Sequence, residues 1–259
     1  MKSHHYDDAR IWSHSAYEAG HEVERLKQTT KLIPPICKKI LDVGCGNGVF
    51  LRMLEGNNPS LSLLGLERSS IAIKNKACRA DVIQWDSDIF PFEDNTFDCV
   101  VSMALFEHVP RTELIGIIGE MCRVAREFII LDVPLNEIRV RVRCPECNCG
   151  FDPHLHLRSY KLAELTKIFP AFDKVQHVVM QGKEPFHSWC IRKLGLEMSA
   201  EYGGVKTCPQ CGWTTEIEDN ACKSQSPEKR QKWRNIIKAL LPDITITREV
   251  AVLYRKRAE

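Results

Sequence analysis

Two groups of residues in this chain have the types and spacing to carry chemistry. The first is Gly44-Cys45-Gly46-Asn47-Gly48, with Glu67 following 19 residues after Gly48. Glycine permits tight backbone torsions and close ligand approach. A carboxylate at that distance can accept both hydroxyls of a ribose. The second group is Cys144-Pro145-Glu146-Cys147 and Cys208-Pro209-Gln210-Cys211, two turns about 60 residues apart. Four thiolates suffice for a closed tetrahedral zinc site, which leaves no open coordination position and so predicts a structural metal. Proline and glycine shape each knuckle so that backbone amides can reach the sulfurs. Cys149, His154 and His156 stand close by as alternative ligands.

Particular elements must position these groups. Lys39 to Val43 reads as a buried strand, and Val49 to Leu54 as the helix after the turn. Strand, glycine turn and helix form the opening unit of a doubly wound α/β sheet, with its crevice at the carboxyl end of the strand. Leu61 to Leu66 is the second strand and carries Glu67 at its end. Ser69-Ser70 has the composition of a helix N-cap, ahead of a helix over Ile71 to Ala80. Further strands are expected at Asp81–Trp85, Phe97–Leu105, Phe128–Val133 and Phe172–Met180, with a closing strand at Arg248–Tyr254. Helices are expected over Glu22–Leu32, Arg111–Ala125, Lys161–Phe169, Glu184–Gly204 and Lys229–Leu241, after a polar linker at Ser224–Glu228. Ile138 to Arg143 alternates with period two, the pattern of a half-exposed strand. There is no internal repeat and no low-complexity tract.

The glycine turn and Glu67 resemble motif I and the second-strand acid of class I S-adenosylmethionine (SAM)-dependent methyltransferases. The resemblance covers residues from about 39 to 180 and returns at the last strand. It extends to Phe90-Pro91-Phe92, to Thr96-Phe97-Asp98, and to Phe106-Glu107-His108-Val109, which is similar to the Leu-Glu-His-Val segment of the small-molecule enzymes. It implies a Rossmann-like fold with a seven-stranded, mostly parallel sheet and an antiparallel last strand, plus a small zinc-ribbon-like insertion. It implies SAM contacts from Asp42, Gly44, Cys45, Gly46, Gly48, Glu67, Arg68, Asp86, Ser87, Met103 and Ala104. Asp86 matches the acid that takes the adenine amino group, and Ser87 the amide facing the ring; Asp88 reads as a solvated loop acid. His108, and after it His156, match positions from which an imidazole can take a proton from a substrate hydroxyl. Glu107 and His108 otherwise read as caps of the next helix. The segment before the sheet caps the cofactor site in this reading, with Trp12 or Tyr17 at its border or packed on the sheet. Domains are expected at 1–38 (helical cap), 39–137 (SAM-binding half) and 138–259 (the rest of the sheet, with knuckle insertions at about 138–158 and 184–225).

Composition narrows the partners. An apolar fraction of 44% and a charged fraction of 27% suit a globular protein. A net charge of +2 gives no global field for nucleic acid. No apolar run reaches the ~18 residues of a membrane span, and the first residues lack an apolar signal core, so a cytoplasmic protein without membrane contact is expected. Of the twelve cysteines, Cys37, Cys45, Cys78, Cys99 and Cys122 stand in core-like contexts. The late pairs favour zinc over disulfides, and no thioredoxin-like unit surrounds them. The methyl acceptor reads as a small molecule, a hydroxyl of a sugar or secondary metabolite. Arg139, Arg141 and Arg143 read first as a solvated strand face and second as an anion site. The rivals are an RNA or protein methyltransferase that grips its substrate through the zinc module, and a non-catalytic SAM-binding scaffold. The glycine spacing disfavours an NAD-dependent oxidoreductase. Residues 102–105, Ser-Met-Ala-Leu, do not form the Asn-Pro-Pro-Tyr loop of adenine and glutamine N-methyltransferases.

Overall fold

The computed structural model describes residues 6, 8–12, 20–86, 89–197, 206–215 and 242–258. The chain separates into two compact units, one of Tyr6–Glu137, Leu157–Met180 and Thr247–Glu259, the other including Ile138–His156 and Gln181–Ile246. Tyr17, Ser87, Asp88, Tyr202, the 224–228 linker and the whole of 229–241 lie outside the described residues.

The larger unit is built on β1 (Lys39–Val43), β2 (Ser62–Glu67), β3 (Asp81–Gln84), β4 (Phe97–Met103) and β5 (Ala125–Pro134). β1 pairs in parallel with β2 and β4, β2 with β3, and β4 with β5. With β8 (Phe172–Pro185) and β9 (Asp243–Lys256) the order is β3-β2-β1-β4-β5-β9-β8. β9 runs antiparallel to β5, with Asp132 opposite Ala251. This is the Rossmann-like sheet with an inserted antiparallel last strand. The order reverses at β1/β4, so the crevice opens at the carboxyl ends of those strands.

Alternation along each strand divides the apolar residues between two faces. Leu41, Val43, Val100, Ile129, Leu131 and Val252 pack on one face with Leu114, Ile117 and Met121 of α4 (Arg111–Val124). Ile40, Val101, Ile130 and Leu253 pack on the other with Leu26 of α1 (Gly20–Thr30) and Val49, Phe50 and Leu54 of α2 (Val49–Asn57). Each such side chain, taken fully from water, contributes about 1.5–3 kcal/mol.

Several elements differ from the sequence expectation. α3 covers only Ser70–Lys74 rather than reaching Ala80. Asn75 ends it by bonding back to Ile71 through its side chain, and the Ala77 amide is drawn to the Asn47 carbonyl at 2.7 Å. The tertiary bond to the glycine turn outcompetes continued helix. Over 161–169 there is a single 3-10 turn, Glu164–Lys167, whose start is held by the Glu164 carboxylate on the Lys161 amide. β8 continues to Pro185, so α5 is confined to Phe186–Lys193 and closes at Gly195 with φ +66°. Pro110 occupies the N-cap of α4. Glu107 and His108 therefore do not cap that helix.

In the smaller unit β6 (Val142–Arg143) pairs antiparallel with β7 (Gly150–Phe151). Only two of the six alternating residues form a strand, yet the alternation holds in burial. Val140, Val142 and Cys144 are buried with Phe151 and Cys208, while Arg139, Arg141 and Arg143 face solvent. Arg143 binds both carboxylate oxygens of Glu197. No helix among the described residues is long and apolar enough to cross a membrane.

Candidate functional site

The glycine turn is stitched to the end of β2. The amides of Gly44 and Cys45 donate to the Leu66 carbonyl at 2.8 and 3.0 Å, and the Gly46 amide donates to Glu67 Oε2 at 2.8 Å. The Ser69 amide donates to Glu67 Oε1 at 2.7 Å. Both carboxylate oxygens are thus aimed by backbone, and each keeps a lone pair. Gly44, Gly46 and Gly48 all have positive φ (+75°, +56°, +75°), a region costly for side chains with a Cβ. Gly48 caps α2 without a side-chain bond, so the first amides of that helix have no capping side chain.

The missing side chains serve packing as well as torsion. A Cβ on Gly48 would lie 2.4 Å from the Cys78 sulfur, and one on Gly46 2.7 Å from the Trp12 ring. Trp12, on a 3-10 turn over Ala9–Trp12, is held there at both ends. Its carbonyl accepts from Asn47 Nδ2 and its indole N–H donates to the Tyr6 carbonyl, each at 3.0 Å. The Ser69 hydroxyl donates to that same carbonyl at 2.9 Å, and the Tyr6 ring stands edge-on to His108 at 5.7 Å. The strap from Tyr6 to Trp12 thus touches residues beside both the glycine turn and Glu67. Trp12 was read from sequence as a possible border; Tyr6 had no signal, because nothing local ties it to residue 69 or 108. Gly46→Ala is expected to expel the indole, lowering stability by about 2–4 kcal/mol through strain and lost burial. Thermal unfolding against Trp12→Ala, with non-additivity in the double variant, tests this.

Asp42, at the penultimate position of β1, is 2% exposed, and its Oδ1 accepts no hydrogen bond. Burial, reinforced by the negative charge of Glu67, pushes its carboxyl up to about 7. An unpaired buried carboxylate calls for a cation or a proton.

The remaining predicted residues divide by location. Cys45 is buried against Leu51 and Cys78. Arg68 is exposed, its carbonyl accepting from Gln84 and its guanidinium 4.0 Å from Glu113. Asp86 is exposed just beyond β3, where Trp85 is tied to the Glu67 carbonyl. Met103 is buried at the end of β4, and Ala104 takes a left-handed φ of +49° while donating to the Asp132 carbonyl. His108 is half-buried, with Nε2 3.9 Å from the Glu107 carboxylate. His156 ends a segment of the smaller unit, its ring 5.6 Å from that of His154.

One cluster had a sequence signal that went unread: a single acid, Asp132, in the otherwise apolar strand Phe128–Val133. It is fully buried, accepts from the Thr29 hydroxyl at 3.0 Å and lies 3.7 Å from Arg25. Arg25 also meets Glu22, and His21 meets Glu249. Surrounding carboxylates, with Asp132 first, outweigh burial and keep the Arg25 guanidinium charged.

In the smaller unit the Sγ atoms of Cys144, Cys147, Cys208 and Cys211 all lie within 4.8 Å of one another. The pairs Cys144–Cys211 and Cys147–Cys208 are 3.6 Å apart. Four sulfurs about 2.3 Å from a zinc ion would be separated by about 3.8 Å. The amides of Gln210 and Cys211 point at the Cys208 sulfur, and those of Cys149 and Trp213 at Cys147 and Cys211. Donors on sulfur suit thiolates rather than thiols. Cys149 points instead to the Gly150 carbonyl.

Residues 40–127 match the family model described as a methyltransferase domain. This segment is similar to methyltransferase domains. It contains β1 to β4, the glycine turn, Glu67 and His108. The chain is 28% identical over 110 residues to a ubiquinone biosynthesis O-methyltransferase of Thiobacillus denitrificans, a match covering 39% of this chain and 47% of that protein. The chain thus spans about half the length of that curated relative. Among solved structures, a SAM-dependent methyltransferase from Archaeoglobus fulgidus superposes with a TM-score of 0.52 at 17% identity, covering 93% of this chain and 97% of that one. A structure described as a methyltransferase from Bacillus halodurans gives 0.53 at 14% identity, covering 92% and 100%. At these identities the structural likeness speaks for the fold, which extends well beyond residues 40–127.

Proposed function

We propose that this protein is a SAM-dependent methyltransferase acting on a small-molecule acceptor, a hydroxyl of a sugar or secondary metabolite, with a structural zinc ion in its smaller unit. One observation carries the reading: Glu67, fixed on two backbone amides beside a positive-φ glycine turn, lies close enough to the buried, unpaired Asp42 for its charge to act on it. Two carboxylates there fit a cationic nucleoside, with Glu67 accepting from the ribose hydroxyls. Gly44, Cys45, Gly46 and Gly48 form the floor, and the uncapped first amides of α2 suit the carboxylate of a methionine moiety. Asp86 and Ser87 take the adenine, Arg68 borders the ribose side, and Met103 and Ala104 flank the sulfonium. When bound, SAM supplies an activated methyl group. The protein's task is then alignment of donor and acceptor, the effect behind much of the acceleration in intramolecular reactions. His108 is the first choice for holding the proton of an acceptor hydroxyl, and His156 the second. The O-methyltransferase relative supports a small acceptor; nucleic acid is not expected as a partner.

The zinc reading rests on four sulfurs at tetrahedral spacing with amide donors. Four protein ligands leave no catalytic position. Calorimetric titration of SAM and of its demethylated product, followed by transfer of labelled methyl into a small-metabolite extract and into bulk tRNA, tests the assignment. Binding plus label in the small-molecule fraction is expected. Label in tRNA would move the acceptor to RNA, binding without transfer would leave a scaffold, and absence of binding would overturn the assignment.

A further inference from the structure

We infer that Asp42 makes the crevice charge-selective: it gives up a proton when the sulfonium donor binds and regains one after the methyl group, and the positive charge with it, has left. This rests on the SAM-binding reading and goes beyond it by assigning the donor/product discrimination to one side chain. Asp42 is 2% exposed, and Oδ1 lacks a hydrogen-bond donor. The titratable groups acting around it are Glu67 from β2 and the thiols of Cys45 and Cys78. Burial holds both thiols protonated. Glu67 already has an amide donor on each oxygen. Among the described residues, the charge that acts on Asp42 is the negative one of Glu67. Without ligand, a buried carboxyl beside a second carboxylate is relieved by a proton; with a cation in the crevice it is relieved by the ligand.

The balance closes over one turnover. The carbon–sulfur bond of the donor breaks, and its electron pair stays on sulfur as a neutral thioether. A lone pair of the acceptor oxygen forms the new carbon–oxygen bond, and the acceptor hydroxyl releases one proton. Asp42, no longer facing a sulfonium, takes up a proton through solvent. Donor and product share adenosine, carboxylate and ammonium, so any difference between them isolates the sulfonium.

The test is calorimetry of donor and product with the full chain in two buffers of different ionisation enthalpy, from pH 6 to pH 8. With the carboxyl titrating at about 7, donor binding should release about 0.9 proton at pH 6, about 0.5 at pH 7 and about 0.1 at pH 8. Donor affinity should fall up to tenfold per pH unit below 7, and product affinity should fall less. Asp42→Asn should abolish the proton release and lower the donor-to-product affinity ratio at least tenfold at pH 8. Equal proton release for both ligands, or release unchanged in Asp42→Asn, would overturn the inference while leaving SAM binding intact. Failure of either ligand to bind would overturn it together with the reading beneath it. A ligand-free measurement separates those cases. The folded carboxyl titrates above its unfolded value near 3.9, so between about pH 4 and 7 the folded state keeps a proton the unfolded state has lost. Wild-type stability should therefore decline relative to Asp42→Asn as pH rises through that window and stay level above it. A flat difference would show Asp42 ionised before any ligand arrives and would overturn the proposal.

Discussion

Glu67→Ala is expected to weaken SAM binding about a hundredfold. The estimate follows from two hydrogen bonds to a charged group at about 1.5–3 kcal/mol each, partly offset by water entering the vacated space. The loss is not confined to the ligand. Oε2 is the acceptor for the Gly46 amide and Oε1 for the Ser69 amide, so removing the carboxylate also loosens the turn and the start of α3. Glu67→Gln retains one acceptor and should cost about tenfold, because its amide NH2 opposes one of the two backbone donors. Calorimetry on the three proteins, with melting curves to show that the sheet persists, measures the ladder. Equal affinity in wild type and alanine variant would remove Glu67 from the site. Salt should matter little, since the contacts are short and partly buried.

The second large effect concerns the four cysteines. Replacing Cys208 by serine, or stripping metal with a strong chelator, is expected to remove one zinc ion per chain and to unfold the smaller unit. Binding free energies at structural zinc sites are about 10 kcal/mol or more, while the apolar cluster among the described residues of this unit is Val140, Val142, Cys144, Phe151 and Cys208 with a few half-buried neighbours. Such a core does not offset the cost of ordering the loops. The larger unit has two extensive apolar faces of its own and should keep its melting transition. Cys149→Ser is the control: its sulfur bonds the Gly150 carbonyl, and its replacement should leave metal content unchanged. Metal analysis on purified protein, combined with limited proteolysis, reads both quantities. One zinc in Cys208→Ser, or none in wild type, would contradict the assignment.

The parts of this protein legible in its sequence are those governed by neighbours along the chain. Short, nearly continuous apolar runs marked β1, β4 and β5 because a parallel strand inside the sheet is buried on both faces. Three closely spaced glycines marked a turn because positive φ is costly for other residues, and all three have it. The Cys-x-x-Cys spacing marked a knuckle because its geometry closes within four residues, and the two knuckles do converge. Glu67 was readable because β2 must end where the turn after β1 begins.

Tertiary structure decided everything that depends on residues far apart in sequence. The helix expected over 71–80 stops at Lys74 because the Ala77 amide finds Asn47, and only the folded chain brings them together. The strap from Tyr6 to Trp12 occupies the space that Gly46 leaves, so one glycine serves torsion and packing at once. Asp132 finds Thr29 across 103 residues and Arg25 beside it, which turns an anomalous acid in an apolar strand into a buried polar anchor for α1. The carboxyl of Asp42 is raised because the fold sets it in an apolar strand next to Glu67, a position no local pattern specifies. Local torsion and alternation are properties of a few consecutive residues and survive in any context. Burial, pairing and the field at a carboxylate are sums over what the whole chain brings near, and they exist only once it has folded.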